Sequence, residues 1–111
     1  MPIQIKRNDR APLVKSTLLD ENSLPVDLTG ASVKFVMKTT EAAPSTKVNA
    51  AMTLANAAGG VVEYAWALGD TDTAGSYVAE FEVTYASGVI QTFPTSGFET
   101  VTIHPDLGGT P

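Results

Sequence analysis

Apolar and polar residues alternate along most of this chain, in short runs separated by Gly, Pro, Asn and Asp, the pattern of half-buried strands joined by turns. The first run is Ile3 to Lys6, with Ile3 and Ile5 against Gln4 and Lys6, and the second spans about Leu13 to Leu19. Between them NDRAP reads as a turn. DENSLPVDLTG follows as a loop, in which Pro25 excludes a central strand while Val26 and Leu28 can tuck inward. Ala31 to Lys38 then places Val33, Phe35 and Met37 on one face and Lys34 and Lys38 on the other, with Val36 as an apolar exception. TTEAAPST is a loop by composition. Residues 47–54 read either as a weak strand or as a helical turn of alanines.

After a turn at Asn56 to Gly60, Val62, Tyr64 and Trp66 alternate with Val61, Glu63 and Ala65, which predicts an inward aromatic side. The clearest strand is Tyr77 to Tyr85, where Tyr77, Ala79, Phe81, Val83 and Tyr85 share one face and Glu80, Glu82 and Thr84 the other. A short ASG connection leads into Val89 to Phe93, with Gly88 suited to a hairpin turn, and Pro94 ends that strand. Phe98 to Ile103 is the last run. No helical periodicity interrupts the series and no internal repeat is present, so the expected fold is an all-β, immunoglobulin-like sandwich of seven or eight strands over residues 1–103. HPDLGGTP, residues 104–111, reads as a flexible C-terminal tail.

DTDTAGSYVAEFEV is the most specific local phrase. An acid-rich turn, a glycine and then a tyrosine opening an alternating strand match the tyrosine corner of immunoglobulin-type sandwiches, whose hydroxyl bonds backbone just upstream. Tyr77 is the candidate corner residue and Trp66 the candidate core aromatic beside it. An ordinary strand tyrosine with a wet hydroxyl is the competing reading. Ala79 stands where antibody domains have a cysteine, so packing alone must hold the sheets together.

At 111 residues the chain fits one domain with one core, enough to bury roughly 60 to 70 per cent of its unfolded surface without metal or disulfide. Cysteine is absent, which removes thiolate catalysis, disulfides and Cys-based zinc sites. Neither a signal peptide nor a membrane span is expected, so the chain starts in the cytoplasm of the cell that makes it and no membrane partner is expected. A net charge of −5 is the wrong sign for a phosphate backbone, which argues against a nucleic-acid partner. The charge is also unevenly placed: residues 1–47 hold seven basic and five acidic groups, and 48–111 hold seven acids and no base. That split is either scattered solubility charge or a pair of complementary contact faces.

Candidate chemistry is sparse. Asp70 and Asp72 have calcium-loop spacing, but Thr73, Ala74 and Gly75 follow where further oxygen ligands would be needed, so turn capping is the better reading. His104, the single histidine, lies beside Pro105 near the chain end, with little shielding for a general base. Glu80 and Glu82 project from the wet side of a strand, and no phosphate-binding glycine loop occurs. The expectation is a non-enzymatic protein with no cofactor and no metal.

IKRNDRAP, LLDENSLPVDLTGASVKFVMK and GGVVEYAWALGDTDTAGSYVAEFEVTYASGVIQTFP together resemble the small β-sandwich proteins and N-terminal domains of baseplate upper proteins in long-tailed bacteriophages. The likeness covers about residues 3–103 and rests on turn and core residues, so it speaks to fold and setting more than to mechanism. It implies a virion structural protein, assembled in the host cytoplasm, that docks onto other phage structural proteins at the tail tip or baseplate, the head-to-tail region or the capsid surface. Baseplate upper proteins continue into long further regions, whereas this sequence stops at Pro111, so a simpler free-standing role is expected. The charge split fits contacts with other virion proteins or with copies of itself. A soluble carbohydrate- or receptor-binding module is the alternative, for which Phe93 and Phe98 are the candidate exposed aromatics. The expected protein contact is the N-terminal segment, through Ile3, Ile5, Lys6, Arg7 and Arg10, and the competing reading of that segment is a core edge strand.

Overall fold

The alternation that marks Tyr77 to Tyr85 builds the central strand of the larger of two packed sheets. In the computed structural model, which describes residues 3–94 and 97–107, nine strands form: β1 (Ile3–Lys6), β2 (Val14–Thr17), β3 (Ser32–Thr39), β4 (Thr46–Ala51), β5 (Thr53–Asn56), β6 (Val61–Tyr64), β7 (Gly75–Thr84), β8 (Ile90–Phe93) and β9 (Glu99–His104). One sheet has the order β1-β9-β7-β3-β4 with β8 also on β7, and the other is β2-β6-β5. The inward faces of both sheets meet in one apolar core, and the protein is an all-β sandwich.

β3 and β7 pair antiparallel over their whole shared length, Ser32 opposite Thr84 and Thr39 opposite Tyr77. This register puts Val33 against Val83 and Phe35 against Phe81, all nearly inaccessible to water. Phe35 centres an aromatic cluster, with its ring 5.2 Å from Tyr64, 5.8 Å from Trp66 and 5.8 Å from Phe81. Leu28 is fully buried and Val26 packs against the core, so the Pro25 loop does turn these two residues inward, while Leu24 stays 59 % exposed.

Residues 47–54 are neither one strand nor a helical turn. Val48, Ala50, Met52 and Leu54 all point to the core, but the chain passes from the larger sheet to the smaller one at Met52, whose N–H donates to the Val33 carbonyl at 2.8 Å. A strand that changes sheets at a corner keeps its inward residues in step, and this raises the count from the expected seven or eight strands to nine.

β8 and β9 lie in succession along the same edge of β7, since Phe93 faces Phe81 and Glu99 faces Ala79. β1 runs parallel to β9, Ile5 opposite Ile103 and Lys6 opposite His104. His104 therefore belongs to the sheet, one residue past the expected end of the sandwich, and residues 108–111 of the expected tail lie outside the described residues. Among the described residues no helix is long and apolar enough to cross a membrane.

Candidate docking surface

The loop between β6 and β7 organises one end of the sandwich. Tyr77, 4 % exposed, donates its hydroxyl to the Thr73 carbonyl at 2.7 Å, four residues upstream. Burial pushes its hydroxyl pKa up. Trp66 lies just past the end of β6, buried, and its indole N–H donates to the Pro12 carbonyl at 3.1 Å. Replacing Tyr77 with Phe is expected to cost roughly 0.5–1.5 kcal/mol in denaturant unfolding, because it strands a part-buried carbonyl. An unchanged midpoint and slope would show the hydroxyl to be idle.

Asp70 and Asp72 are committed to the loop. One Asp70 oxygen accepts from the Ala67 N–H at 2.8 Å and from the Tyr64 hydroxyl, while Asp72 pairs with Lys47 and accepts from Thr73. Lys47 and Thr73 hold the Asp72 carboxyl below its usual pKa. Among the described residues no group of three His, Asp or Glu side chains is placed to hold a metal ion.

The Tyr64–Asp70 bond was not visible in the sequence, where Asp70 reads as a turn cap and Tyr64 as a core aromatic. Burial, and then the neighbouring carboxylate, push the Tyr64 hydroxyl up to about 12. Below pH 10 the hydroxyl is protonated folded and unfolded, and its stabilisation is fully present. Between pH 10 and 12 the unfolded chain ionises first, so that stabilisation is lost as pH rises. Tyr64→Phe is expected to cost about 1.5–3 kcal/mol near neutrality, since the acceptor is a carboxylate, and the gap to the parent should close as pH climbs through that window. Urea titrations at pH 7 and at steps from 9.5 to 12 measure it; a gap independent of pH would refute the account.

The N-terminal segment divides. Ile5 is in the core, 5 % exposed, and Ile3 is half-buried against it. Arg7 pairs with Asp106 at 3.0 Å, and Arg10 donates to the Trp66 carbonyl at 3.0 Å. The backbone between them is tied down too: the Arg7 N–H bonds the His104 carbonyl, the Asn8 N–H bonds the Thr71 carbonyl, and the Thr71 hydroxyl donates to the Asp9 carbonyl. Two of the five candidate contact residues thus have structural partners for their charge and a third is core. Lys6 is exposed on the outer side of β1 and enters no ion pair among the described residues.

Beside β1 the sandwich is open. The smaller sheet ends at β2, and between β2 and the β1–β9 side lies a groove of about 540 Å³ lined by Ile3, Lys15, Thr17, Leu19, Phe81 and Glu99. A second groove, about 500 Å³, crosses the outer face of the larger sheet over Val36 and Val78, between Pro44 and Phe98. Phe98 is 59 % exposed, whereas Phe93 is buried opposite Phe81. Only Phe98 of the two candidate aromatics reaches solvent.

The uneven charge along the chain does not become one basic and one acidic face at these positions. Each ion pair among the described residues, Arg7–Asp106, Lys15–Glu63 and Lys47–Asp72, joins a base from the first part to an acid from the second. The register likewise sets Lys34 opposite Glu82.

Two sheets, an apolar core without disulfides and shallow grooves on the outside define a β-sandwich module that presents surfaces. Its fold is similar to that in the crystal structure of CopC from Methylosinus trichosporium OB3b, with a TM-score of 0.52 at 16 % identity, covering 94 % of this chain and 84 % of that one. No curated protein matches the chain by sequence. The chain belongs to the BppU N-terminal domain family, whose profile matches residues 2–107, and is thus a domain of the phage baseplate upper-protein type. It is a structural component of phage particles.

Proposed function

We propose that this protein is a non-enzymatic, immunoglobulin-like baseplate part that docks onto another virion protein through its N-terminal edge. The observation that carries the reading is the family match across residues 2–107. The edge has the features of a contact: β1 is an edge strand of its sheet, Lys6 is exposed on it, and Ile3 opens into the groove shared with β2. An apolar side chain of the partner fills the groove, and Lys6 meets an acidic group beside it. A carbohydrate- or receptor-binding role has Phe98 alone in its favour.

Docking is tested by adding purified protein to phage particles that lack it and measuring its recovery with the particles across salt concentrations. Rebinding that Lys6→Glu weakens several-fold at low salt is expected, because a rim charge acts through screened electrostatics. Lys6 is the position to reverse, since changing Arg7 or Arg10 also breaks an internal bond. No rebinding at any salt would overturn the reading, and rebinding indifferent to Lys6 and to Ile3→Asp would move the contact away from this edge.

A further inference from the structure

The outer face of the larger sheet is built around two central strands of opposite charge. β3 turns Lys34, Val36 and Lys38 outward, and β7 turns Val78, Glu80 and Glu82 outward. Their register places Lys34 opposite Glu82, Val36 opposite Glu80 and Lys38 opposite Val78. Lys34 and Lys38 are exposed, and the other four are half-buried by their neighbours. None of these four charged side chains enters an ion pair among the described residues. Val36 and Val78 floor the groove that Pro44 and Phe98 wall, with Lys38 and Glu80 also lining it.

We propose that this face is a self-complementary interface that joins two copies of the chain. A two-fold axis parallel to the strands, lying between β3 and β7 in the plane where two such faces meet, carries each β3 onto the second copy's β7 at the same height. Lys34 then meets Glu82 of the second copy. Glu80, one row further along, lies within diagonal reach of Lys38. The operation repeats both contacts, so the basic column of each copy covers the acidic column of the other, and Val36 and Val78 are shielded with them. Packed sheets lie about 10 Å apart, a gap that lysine and glutamate side chains span from opposite sides. On a monomer the same columns lie side by side, Lys34 opposite Glu82, around an apolar groove, the arrangement of an ordinary wet sheet face, and the two cases separate by experiment.

Sedimentation equilibrium from micromolar to several hundred micromolar, at low and high salt, reads the association directly. The expected result is a monomer–dimer equilibrium that weakens as salt is raised. Lys34→Glu with Lys38→Glu makes the face wholly acidic, and Glu80→Lys with Glu82→Lys makes it wholly basic. Each double variant alone should dimerise at least tenfold more weakly than the parent. All four changes in one chain exchange the columns, keep the net charge, and should restore the dimer. Circular dichroism checks that the variants fold, as expected for outward positions. A parent that stays monomeric throughout at low salt overturns the proposal, as does a fourfold variant that fails to dimerise while folded, or double variants that dimerise like the parent. Lys6 and Ile3 lie outside these columns, so a monomeric protein that still rebinds particles would remove the dimer and leave the docking role intact.

Discussion

Replacing Phe35 with alanine is expected to destabilise the protein by about 3–5 kcal/mol, the range for deleting a large aromatic side chain from a packed core. Phe35 is fully buried on β3 and touches both sheets: Phe81 is its cross-strand partner, while Tyr64 and Trp66 reach it from β6 and the residues beyond. Its removal opens a cavity between sheets that no disulfide joins, and it cancels three ring contacts together. Domains of this size have about 5–15 kcal/mol of stability in all, so the variant should unfold roughly 10–20 °C or more below the parent. Urea denaturation gives the free energy, and calorimetry the temperature. A cost under about 1 kcal/mol would mean that the two sheets are not held by this cluster.

That cluster was largely legible beforehand, because period-two alternation names the inward residues without knowledge of their partners. Phe35, Tyr64, Trp66 and Phe81 each sit at the apolar phase of their own run. What alternation cannot supply is which sheet a strand joins. Val48 to Leu54 keeps one phase throughout, so nothing in its pattern marks Met52 as the place where the chain leaves β3 for β6. Phe93 and Phe98 show the same limit. Both flank Pro and Gly, yet Phe93 still lies in the ladder opposite Phe81, while Phe98 precedes β9 and faces water.

Charge was the least legible property. The one-sided distribution along the sequence left scattered solubility charge and separate contact faces equally open, but an antiparallel register interleaves distant segments, and Lys47 finds Asp72 while Lys34 faces Glu82. The opposite signs survive at the scale of single strands, with a basic β3 beside an acidic β7. For the N-terminal segment, composition identified the edge but could not separate Lys6, free to meet a partner, from Arg7 and Arg10, whose guanidinium groups secure Asp106 and the Trp66 carbonyl. Those partners lie 99 and 56 residues away, beyond any local pattern.

The junction of β2, the Pro25 loop and β6 turns on Gly60. Its φ of +71° is in the left-handed region, where a side chain adds steric cost. Space is closed as well: a Cβ there would lie 2.8 Å from the Val26 carbonyl oxygen and 2.9 Å from that of Leu18. Both are backbone oxygens of residues tied to one another, since the Leu18 N–H bonds the Gly60 carbonyl at 2.8 Å and the Val26 N–H bonds the Leu18 carbonyl at 2.9 Å. Neither can move without breaking the junction of β2, the Pro25 loop and β6. Gly60→Ala is therefore expected to cost about 2–5 kcal/mol, strain and overpacking together. Gly88, in the β7–β8 turn, provides the comparison: its φ is +91°, but nothing lies within 4 Å of an added Cβ. Gly88→Ala should then carry the backbone strain alone, about 1–2 kcal/mol. Denaturant unfolding of the two variants side by side measures the difference, and equal costs would show that close approach at Gly60 contributes nothing beyond its backbone angle.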